Sequence, residues 1–436
     1  MIYDLVVIGG GITGLAVYER AARAGLSALL LERGRAGGAT TAATSGLFHG
    51  GLRYLPYDVA TSYAMCREIA RLRRERPDLL SRQPFLWPVY QGHRYGLGLV
   101  ESLQEYYDLF GSWRGSRPHV RLSAAEALAA QPGLNPRGLL GSLAFDEWTV
   151  NVAGLVASLK EAAAAAGGEL REQSTVASFV REGGLVAAVR TTEEAAISRQ
   201  YVARVFVNAA GPWAEEVSCL AGGRGVRLSL RKGVHLVVPG RAPFCGLTFP
   251  DERGHYIGLY PRAGEFLVGP NDDAYEGAPD GVSVLPEEEA GLKAALAKVL
   301  PDFAAKPARV IVGLRPIFRQ RAAGALLSRD YRIYDHAAEG APNLLTVTGG
   351  KLTSHRRMAQ DVLGHILAKL GRPAPSRARD GGPGFPWSVL GTRRRSVSLA
   401  VSGALLAYYT LRHCAGAGRG RAGLAAFREN YGGPRP

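Results

Sequence analysis

The glycines at positions 9, 11 and 14 form a G-x-G-x-x-G pattern directly after an apolar segment, Leu5 to Ile8. In such a turn the first glycine makes the tight bend, the second lets a pyrophosphate approach the backbone, and the third lets helix and strand pack closely. A second apolar segment leads to Glu32, where a carboxylate can accept a hydrogen bond from a ribose hydroxyl. This order predicts dinucleotide binding, with a ligand-free glycine turn as the alternative. The acid argues against a 2′-phosphate but leaves NAD and FAD both open.

A second group of residues with chemical potential lies at 49–55, which read HGGLRYL. Two glycines expose the backbone there, and Arg53 and Tyr54 follow at once. A guanidinium offers a planar fork of donors that pairs with phosphate or carboxylate oxygens. The segment therefore predicts an anion site at Arg53, while an ion-paired surface arginine is the alternative.

The elements that must position these residues follow from the apolar periodicity. It predicts helices near 57–76, 99–111, 123–130, 151–166, 285–300 and 353–370. Alternating segments predict three strands between 170 and 210, with a hairpin turn at 181–184, and a substantial antiparallel sheet from about 225 to 270. We expect an α/β fold in which a Rossmann-like domain (1–75, 145–222 and 340–371) is interleaved with an antiparallel-sheet domain (76–144 and 223–339). A basic linker and a short helical C-terminal tail (372–436) follow.

Composition narrows the class of protein. The four cysteines are scattered without a C-x-x-C pair, so we expect neither a metal site nor disulfides. We expect no signal peptide and no membrane-spanning segment, which favours a cytoplasmic location. The net charge of +15 favours an anionic partner, although an arginine-rich composition from a GC-rich genome would give the same value. No nucleic-acid motif is present in the sequence, so nucleic acid is not expected as a partner.

Several motifs together resemble the FAD-dependent, respiratory glycerol-3-phosphate dehydrogenases, which belong to the D-amino-acid-oxidase-like flavoproteins. The motifs are YDLVVIGGGITG, ATTAATSGLFHGGLRYL, VNAAGPWA, RKGVHLVVP, GLRPI, SRDYRIYDH and TVTGGKLTSHRRMAQ, and they cover residues 1 to about 370. The resemblance implies the fold of the glutathione-reductase and D-amino-acid-oxidase type, with FAD bound across the nucleotide domain. The residues that it assigns to the cofactor are Gly9, Gly11, Gly14, Glu32, Arg33, Thr44, Ser45, Gly50, Val176, Gly211, Gly350, Lys351, Leu352 and Thr353.

The resemblance also implies an activity, the oxidation of sn-glycerol 3-phosphate to dihydroxyacetone phosphate, with hydride passing to flavin N5 and electrons to membrane quinone. We expect Arg315 and Arg329 to hold the phosphate, and Arg53 with Tyr54 to orient the substrate. The cation of Lys351 would stabilise developing negative charge.

Removing the hydroxyl proton requires a base, and three residues are candidates. His235 comes first because imidazole titrates near working pH and its side chain alternates with apolar Val234 and Leu236. His49 and Lys351 follow. A buried structural histidine is the alternative for His235. Gly50 and Gly51 are expected to let the flavin ring pass close to the backbone.

Two departures from the family pattern leave alternatives open. Residues Gly269 to Asp272 read GPND where the family usually reads GTTD, and the region after Leu370 is shorter. The donor could therefore be another 2-hydroxy acid or an amino acid, or the chain could be a non-catalytic flavin-binding protein. Oxygen could replace quinone as acceptor, and the oligomeric state stays open. The tail at 393–412 either lies on the inner face of the cell membrane, as a peripheral helix, or packs on the protein.

Overall fold

The computed structural model describes residues 1–193, 197–240, 244–262, 264–303, 307–319, 330–373, 394–415 and 421–432. The strands are β1 (Ile2–Ile8), β2 (Ala28–Leu31), β3 (Leu80–Tyr90), β4 (Val120–Ser123), β5 (Leu139–Val150), β6 (Glu169–Arg171), β7 (Thr175–Glu182), β8 (Leu185–Thr192), β9 (Ser198–Asn208), β10 (Leu228–Pro239), β11 (Gly246–Pro250), β12 (Tyr256–Arg262), β13 (Glu265–Gly269), β14 (Asp273–Tyr275), β15 (Arg309–Phe318), β16 (Tyr331–Asp335), β17 (Leu344–Gly349) and β18 (Arg421–Ala422).

The helices are α1 (Ile12–Arg23), α2 (Val59–Glu75), α3 (Leu97–Asp108), α4 (Gly111–Arg114), α5 (Ala124–Ala130), α6 (Val152–Ala165), α7 (Ala214–Leu220), α8 (Pro286–Val299), α9 (His355–Lys369), α10 (Arg394–Cys414) and α11 (Leu424–Tyr431). All six helices predicted from periodicity are confirmed, with ends that differ by a few residues. The three predicted strands between 170 and 210 are β7, β8 and β9.

The first sheet contains eight strands within the described ranges, and its main path runs β16, β17, β9, β1, β2, β6. β1 pairs in parallel with β2 and β9, and β17 pairs in parallel with β9. β7 and β8 form an antiparallel hairpin whose turn is made by Gly183 and Gly184, both with positive φ, as the sequence predicts. The carboxyl ends of the parallel strands lie at one edge of the sheet, where open α/β sheets bind their ligands.

The second sheet contains ten of the described strands and is mostly antiparallel, with β10 between β15 on one side and β13 and β14 on the other. The long pairing of β10 with β15 places Gly233 opposite Gly313 and His235 opposite Ile311. The predicted fold class is therefore confirmed. The residue boundaries of the two domains stay a prediction. β5 crosses the predicted boundary between 144 and 145 and pairs in the second sheet, and β16, from the predicted second domain, pairs in the first.

Apolar packing fixes the turn between β1 and α1. Leu5 and Val7 of β1 pack with Leu15 of α1 and with the apolar face of α9, and all three side chains are fully buried. Complete burial of one such side chain stabilises the fold by about 1.5–3 kcal/mol. The glycine pattern therefore lies between two elements that a large core holds in place.

The helix in the C-terminal tail, α10, packs on the body of the protein. Ser402 of α10 accepts a hydrogen bond from the backbone N–H of Val59 at 3.0 Å, at the start of α2, where helix N–H groups lack intrahelical partners. The buried Tyr409 stacks on Tyr106 of α3 with ring centroids 6.0 Å apart. Among the described residues, no helix has both the length and the apolar character that crossing a bilayer requires.

Candidate active site

A cavity of about 1070 Å³ is lined by residues of both sheets. Small-molecule sites usually occupy about 300–1,000 Å³, so this cavity has room for a ligand as large as a dinucleotide. Of the predicted cofactor-binding residues, the lining includes Gly9, Gly11, Glu32, Arg33, Thr44, Ser45, Val176, Gly211, Gly350, Lys351 and Leu352. Gly14, Gly50 and Thr353 do not line the cavity, and they contact other protein atoms behind its wall.

The glycine turn leaves no space for side chains. Gly9 has φ +101°, and a Cβ there would lie 2.7 Å from the carbonyl oxygen of Ala209. A Cβ on Gly14 would lie 1.9 Å from the carbonyl oxygen of Gly9, closer than any real contact. The first and third glycines therefore make the bend and the close helix packing that the pattern predicts, and Gly11 between them lines the cavity.

Backbone donors at this end of the cavity are held in fixed positions. Glu32 accepts hydrogen bonds from the N–H groups of Gly10 at 2.6 Å and Gly34 at 2.7 Å, one at each carboxylate oxygen. Each oxygen keeps a further lone pair, so the carboxylate can still accept a bond from a ribose hydroxyl. The hydroxyl of Thr41 accepts from Ile12 N at 3.0 Å, and the other N–H groups at the start of α1 favour an anion.

Arg33 lies at the rim of the same end. Its guanidinium is 3.9 Å from the ring centroid of Trp213, and its Nη2 is 2.6 Å from Asp280 Oδ1. Stacking and a bidentate ion pair hold the arginine across the cavity wall. The sequence did not indicate the contribution of Asp280, which comes from the loop before α8.

The two glycines of HGGLRYL lie against protein side chains. A Cβ on Gly50 would lie 2.4 Å from Tyr107 Oη and 2.5 Å from Arg114 Cδ, so protein side chains fill the space on that side of the backbone, and the expected approach of the flavin stays a prediction. Gly51 has φ +92°, which glycine adopts readily. These glycines therefore let buried side chains approach the loop from behind.

Two segments distant in sequence bring Arg53, Tyr54 and Lys351 together. Lys351 Nζ lies 4.7 Å from the ring centroid of Tyr54, and Arg53 Cζ lies 5.8 Å from the same point. Gly349 and Gly350 make the turn after β17 with φ +81° and +78°, a conformation that directs Lys351 to the cavity. Thr353 Oγ1 donates to the carbonyl of His49 at 3.4 Å and links the two segments.

The second sheet contributes Arg315 from β15. Its Nη1 is 3.0 Å from Asp272 Oδ1, and its Nη2 donates to the carbonyl of Asn271 at 3.2 Å. A Cβ on Gly233, on the paired strand β10, would lie 2.5 Å from Arg315 Nη2, so only glycine leaves room for this guanidinium. The segment GPND thus holds Arg315 in place, and its Pro270 lines the cavity. Arg329 lies outside the described residues.

His235 is buried beside Arg315 and lines the cavity, with 3% of its surface exposed. Neither ring nitrogen has a hydrogen-bond partner within the described part of the chain. Burial lowers its pKa to about 3, and the charges of Arg315 and Arg262 act in the same direction. The reason for preferring His235, that it titrates near working pH, is therefore wrong for the chain without ligand: the imidazole is neutral, and both of its nitrogens are buried.

His49, the second candidate for the base, has a similar environment. It lines the cavity near Tyr54, with the two ring centroids 5.9 Å apart. Burial lowers its pKa to about 3, with smaller contributions from Arg53 and Lys351. The side chain of His49 is half-buried, whereas that of His235 is buried.

Sequence reasoning missed Tyr260 and Glu147, which also line the cavity. Tyr260 lies near both Arg53 and Arg315, and burial raises its pKa to about 12 although these cations lower it. A Cβ on Gly258 would lie 2.4 Å from the Tyr260 ring, so the two positions share one face of β12. The alternation in HYIGLYP could have indicated this tyrosine, whereas no local pattern distinguishes Glu147.

Comparison with known proteins shows what the chain is similar to. A glycerol-3-phosphate dehydrogenase of Synechocystis sp. is 29% identical over 402 residues, which are 86% of this chain and 71% of the relative. The aerobic glycerol-3-phosphate dehydrogenase of Staphylococcus aureus is 29% identical over 382 residues, which are 84% of this chain and 67% of the relative.

Solved structures share the fold. The glycerol-3-phosphate dehydrogenase of Bacillus halodurans, complexed with FAD, aligns with a TM-score of 0.68 at 22% identity over 99% of this chain and 86% of that one. The L-alpha-glycerophosphate oxidase of Mycoplasma pneumoniae, with FAD bound, aligns with a TM-score of 0.66 at 17% identity over 84% of this chain and 95% of that one.

The residues along the cavity fit an extended FAD molecule. The turn at Gly9 has no room for a Cβ, the N-terminus of α1 faces the wall at Gly11, and Glu32 and Val176 lie at the same end. The family model described as FAD dependent oxidoreductase (DAO) matches residues 4–370. The chain is therefore an enzyme of the FAD dependent oxidoreductase (DAO) family, and its cofactor is FAD.

Proposed function

We propose that this oxidoreductase converts sn-glycerol 3-phosphate to dihydroxyacetone phosphate. The observation that carries the proposal is the convergence of Arg53, Arg315 and Lys351 on one cavity, from three separate segments. A phosphate monoester carries nearly two negative charges, so its site should present several cations with fixed directions. The relatives named glycerol-3-phosphate dehydrogenase support the same substrate.

Each side chain has a distinct task in this proposal. Arg315, fixed by Asp272 and Asn271, binds the phosphate through its fork of N–H groups, and Arg53 binds an edge of the same group. Arg329 is proposed as a further phosphate ligand from its motif alone. Bound FAD supplies a hydride acceptor at N5. Lys351, above the Tyr54 ring, stabilises the negative charge that develops during the reaction.

His235 is proposed as the base that takes the hydroxyl proton from the substrate. His235 lines the cavity, its ring nitrogens have no hydrogen-bond partner among the described residues, and a neutral imidazole can accept this proton directly. A pKa of about 3 makes a weak base, but the positive charge of Arg315 is one of its causes. Burial is the larger cause, and a bound dianion would offset the contribution of Arg315. We therefore expect the pKa of His235 to be higher when substrate is bound.

We also propose that electrons pass to a quinone at the inner face of the cell membrane, where the chain is attached peripherally. The support is the outer face of α10, which exposes Leu399, Tyr408 and Leu411, while Leu406 of the same helix lines the cavity. Apolar side chains on a basic protein suit an anionic lipid surface. Flotation with anionic liposomes should fall for a Leu399→Ser/Leu411→Ser variant, and equal flotation of variant and wild type would exclude this face.

A second candidate function has one specific observation in its favour. Asp272 already compensates part of the charge of Arg315, with a 3.0 Å contact. A site with partly neutralised cations also suits a donor with one carboxylate, such as a 2-hydroxy acid or an amino acid. The segment GPND, which contains Asp272, is where the sequence departs from the glycerol-3-phosphate pattern.

Anaerobic reduction of the flavin distinguishes these functions. The holoenzyme is mixed without oxygen with sn-glycerol 3-phosphate, 2-hydroxyglutarate or an amino acid, and the loss of oxidised flavin absorbance is followed. We expect rapid bleaching by the phosphorylated alcohol alone. Bleaching by the hydroxy acid or the amino acid instead would establish the second candidate, and no bleaching by any donor would favour a binding protein. Adding a quinone or oxygen to the reduced enzyme then identifies the acceptor by the rate of reoxidation.

A further inference from the structure

The loop His49–Gly51 lies between β2 of the first sheet and β3 of the second, and it belongs to no strand of either. Side chains form hydrogen bonds with its backbone N–H and carbonyl groups. Gly50 N donates to Glu147 Oε2 at 3.2 Å, and Ser62 Oγ donates to the carbonyl of Gly51 at 2.9 Å. Both bonds are buried, and they reach the loop from β5 and α2. The backbone conformation of the loop therefore depends on a few named side chains.

Glu147 is held in turn by a buried network that the proposed chemistry does not use. Tyr107 Oη donates to Glu147 Oε1 at 2.6 Å, and Arg114 Nη1 lies 3.8 Å from Glu147 Oε2. The Arg114 guanidinium is 3.6 Å from the Tyr107 ring centroid, and none of the three residues is more than 4% exposed. Burial raises the pKa of the Glu147 carboxyl, and the charge of Arg114 opposes this effect. A buried carboxylate with these partners has a single favourable position.

The loop leads directly into the residues that face the substrate. Tyr54 N donates to the carbonyl of Gly51 at 2.8 Å, which starts the 3-10 turn Leu52–Tyr54 that carries Arg53. The carbonyl of Gly51 is the same group that Ser62 holds. A displacement of Gly50 or Gly51 therefore also displaces Arg53 and Tyr54, which lie in the 3-10 turn that follows.

We infer that Tyr107, Glu147 and Arg114 form a positioning network that holds the His49–Tyr54 loop so that Arg53 faces the substrate. None of the three need touch the reacting atoms for this role, because they act through Gly50. Displacing a positioned group by about 1 Å can cost about 100-fold in rate. The inference rests on the proposed function only in taking Arg53 as a substrate ligand.

The test uses Tyr107→Phe, which removes one hydroxyl and leaves the ring beneath Arg114. We expect the Kd for sn-glycerol 3-phosphate, taken from the substrate dependence of the anaerobic flavin reduction rate, to rise about tenfold or more, while FAD content stays that of wild type. The control is Tyr201→Phe, since Tyr201 Oη donates to Glu193 at 2.7 Å in the β8–β9 region, away from the cavity. The melting temperatures of the two flavin-free variants show how much stability is lost when a tyrosine–carboxylate hydrogen bond is removed, near the cavity or away from it.

A double-mutant cycle decides whether the effect passes through Arg53. In an Arg53→Ala background, Tyr107→Phe should change the Kd less than twofold, because the group that it positions is gone. Ser62→Ala, which releases the loop from the other side, should behave in the same way and serves if Tyr107→Phe does not fold. An equal effect in both backgrounds, or a Tyr107→Phe variant that binds substrate like Tyr201→Phe, would overturn the inference.

The proposed function can fail separately from this inference. If wild-type flavin is not reduced by sn-glycerol 3-phosphate, the substrate assignment is wrong, and the cycle is run with the donor that does reduce it. If the wild type is reduced but Tyr107→Phe matches its control, the substrate assignment stands and the positioning network is rejected.

Discussion

The two ends of the cavity are built in different ways. At the nucleotide end, one continuous stretch from β1 to Glu32 supplies the turn, the helix N-terminus and the acid, and backbone groups hold the charged side chain. At the other end, Arg53, His235, Arg315 and Lys351 come from four separate segments, and two of these segments are the strands β10 and β15. The first end is defined by the shape of the backbone, and the second by cations whose positions depend on long-range packing.

This difference predicts how each end responds to substitution. A change in the glycine turn displaces backbone and should abolish binding of FAD altogether. A change among the cations leaves the fold intact and should alter only the substrate or the rate. The two kinds of response can be separated by measuring flavin content and kinetics on the same variants.

The largest effect is expected for Gly14→Ala. The added Cβ would lie 1.9 Å from the carbonyl oxygen of Gly9, so β1 and α1 must separate. Overpacking of this kind costs about 1–3 kcal/mol, and here it falls on the bend that receives the pyrophosphate. We expect purified protein with almost no bound flavin and a lower melting temperature.

Gly291→Ala is the matched control, because this exposed glycine in α8 has no atom within 4 Å of the added Cβ. It should keep its flavin and gain about 1 kcal/mol of helix stability. Normal flavin content in Gly14→Ala would contradict the view that backbone shape controls the nucleotide end.

The next effect tests the substrate end. His235→Ala should lower kcat about 100- to 10,000-fold, the usual contribution of a general base, and leave flavin content unchanged. His365→Ala, which removes an exposed histidine from α9, should leave kcat unaltered. Rapid-mixing measurement of flavin reduction checks the result. A variant with wild-type turnover would remove His235 from the mechanism and leave His49 or Lys351 as the base.

Arg315→Lys should have a smaller effect, confined to substrate binding. Lysine keeps the positive charge but offers no planar fork, so one charge-assisted hydrogen bond of about 1.5–3 kcal/mol is lost. We expect the KM for sn-glycerol 3-phosphate to rise about 10- to 100-fold with flavin content unchanged. Arg309→Lys, on the same strand but exposed and paired with Glu265, is the control. An unaltered KM in Arg315→Lys would refute the phosphate role of this residue.

The same difference explains what the sequence could predict. The glycine turn, Glu32 and the helices that pack on the first sheet are each encoded by a local pattern. Spacing and periodicity were therefore enough to predict their positions. The partner of Arg315 and the space behind Gly50 depend on residues far away in sequence, such as Asp272 and Tyr107. The pKa of His235 could not be predicted either, because its burial and its cationic neighbours arise only when β10 and β15 pair.

The helix α10 shows the same limit at the surface. Its arginines and apolar residues suggested either a membrane helix or a packed one, and composition could not decide between them. Ser402 and Tyr409 make the packing contacts, but their partners lie on α2 and α3, so no local pattern indicates them. Which residues of a mixed helix are buried is a property of the surface that it meets.

The smallest effect concerns stability in mild acid. His235 has a pKa of about 3 in the folded chain against about 6.5 when unfolded, so between these values the unfolded state binds the extra proton. The contribution of His235 to the free energy of unfolding should therefore be fully present above pH 6.5. It should fall by about 1.4 kcal/mol per pH unit as the pH drops below that value. Urea unfolding of the flavin-free protein at pH 7.0 and pH 5.5 measures this, and His235→Gln should show a weaker dependence by about that amount. Buried carboxyls such as Glu147 titrate in both proteins and cancel in the comparison, so equal pH dependence would mean that His235 is not buried in its neutral form.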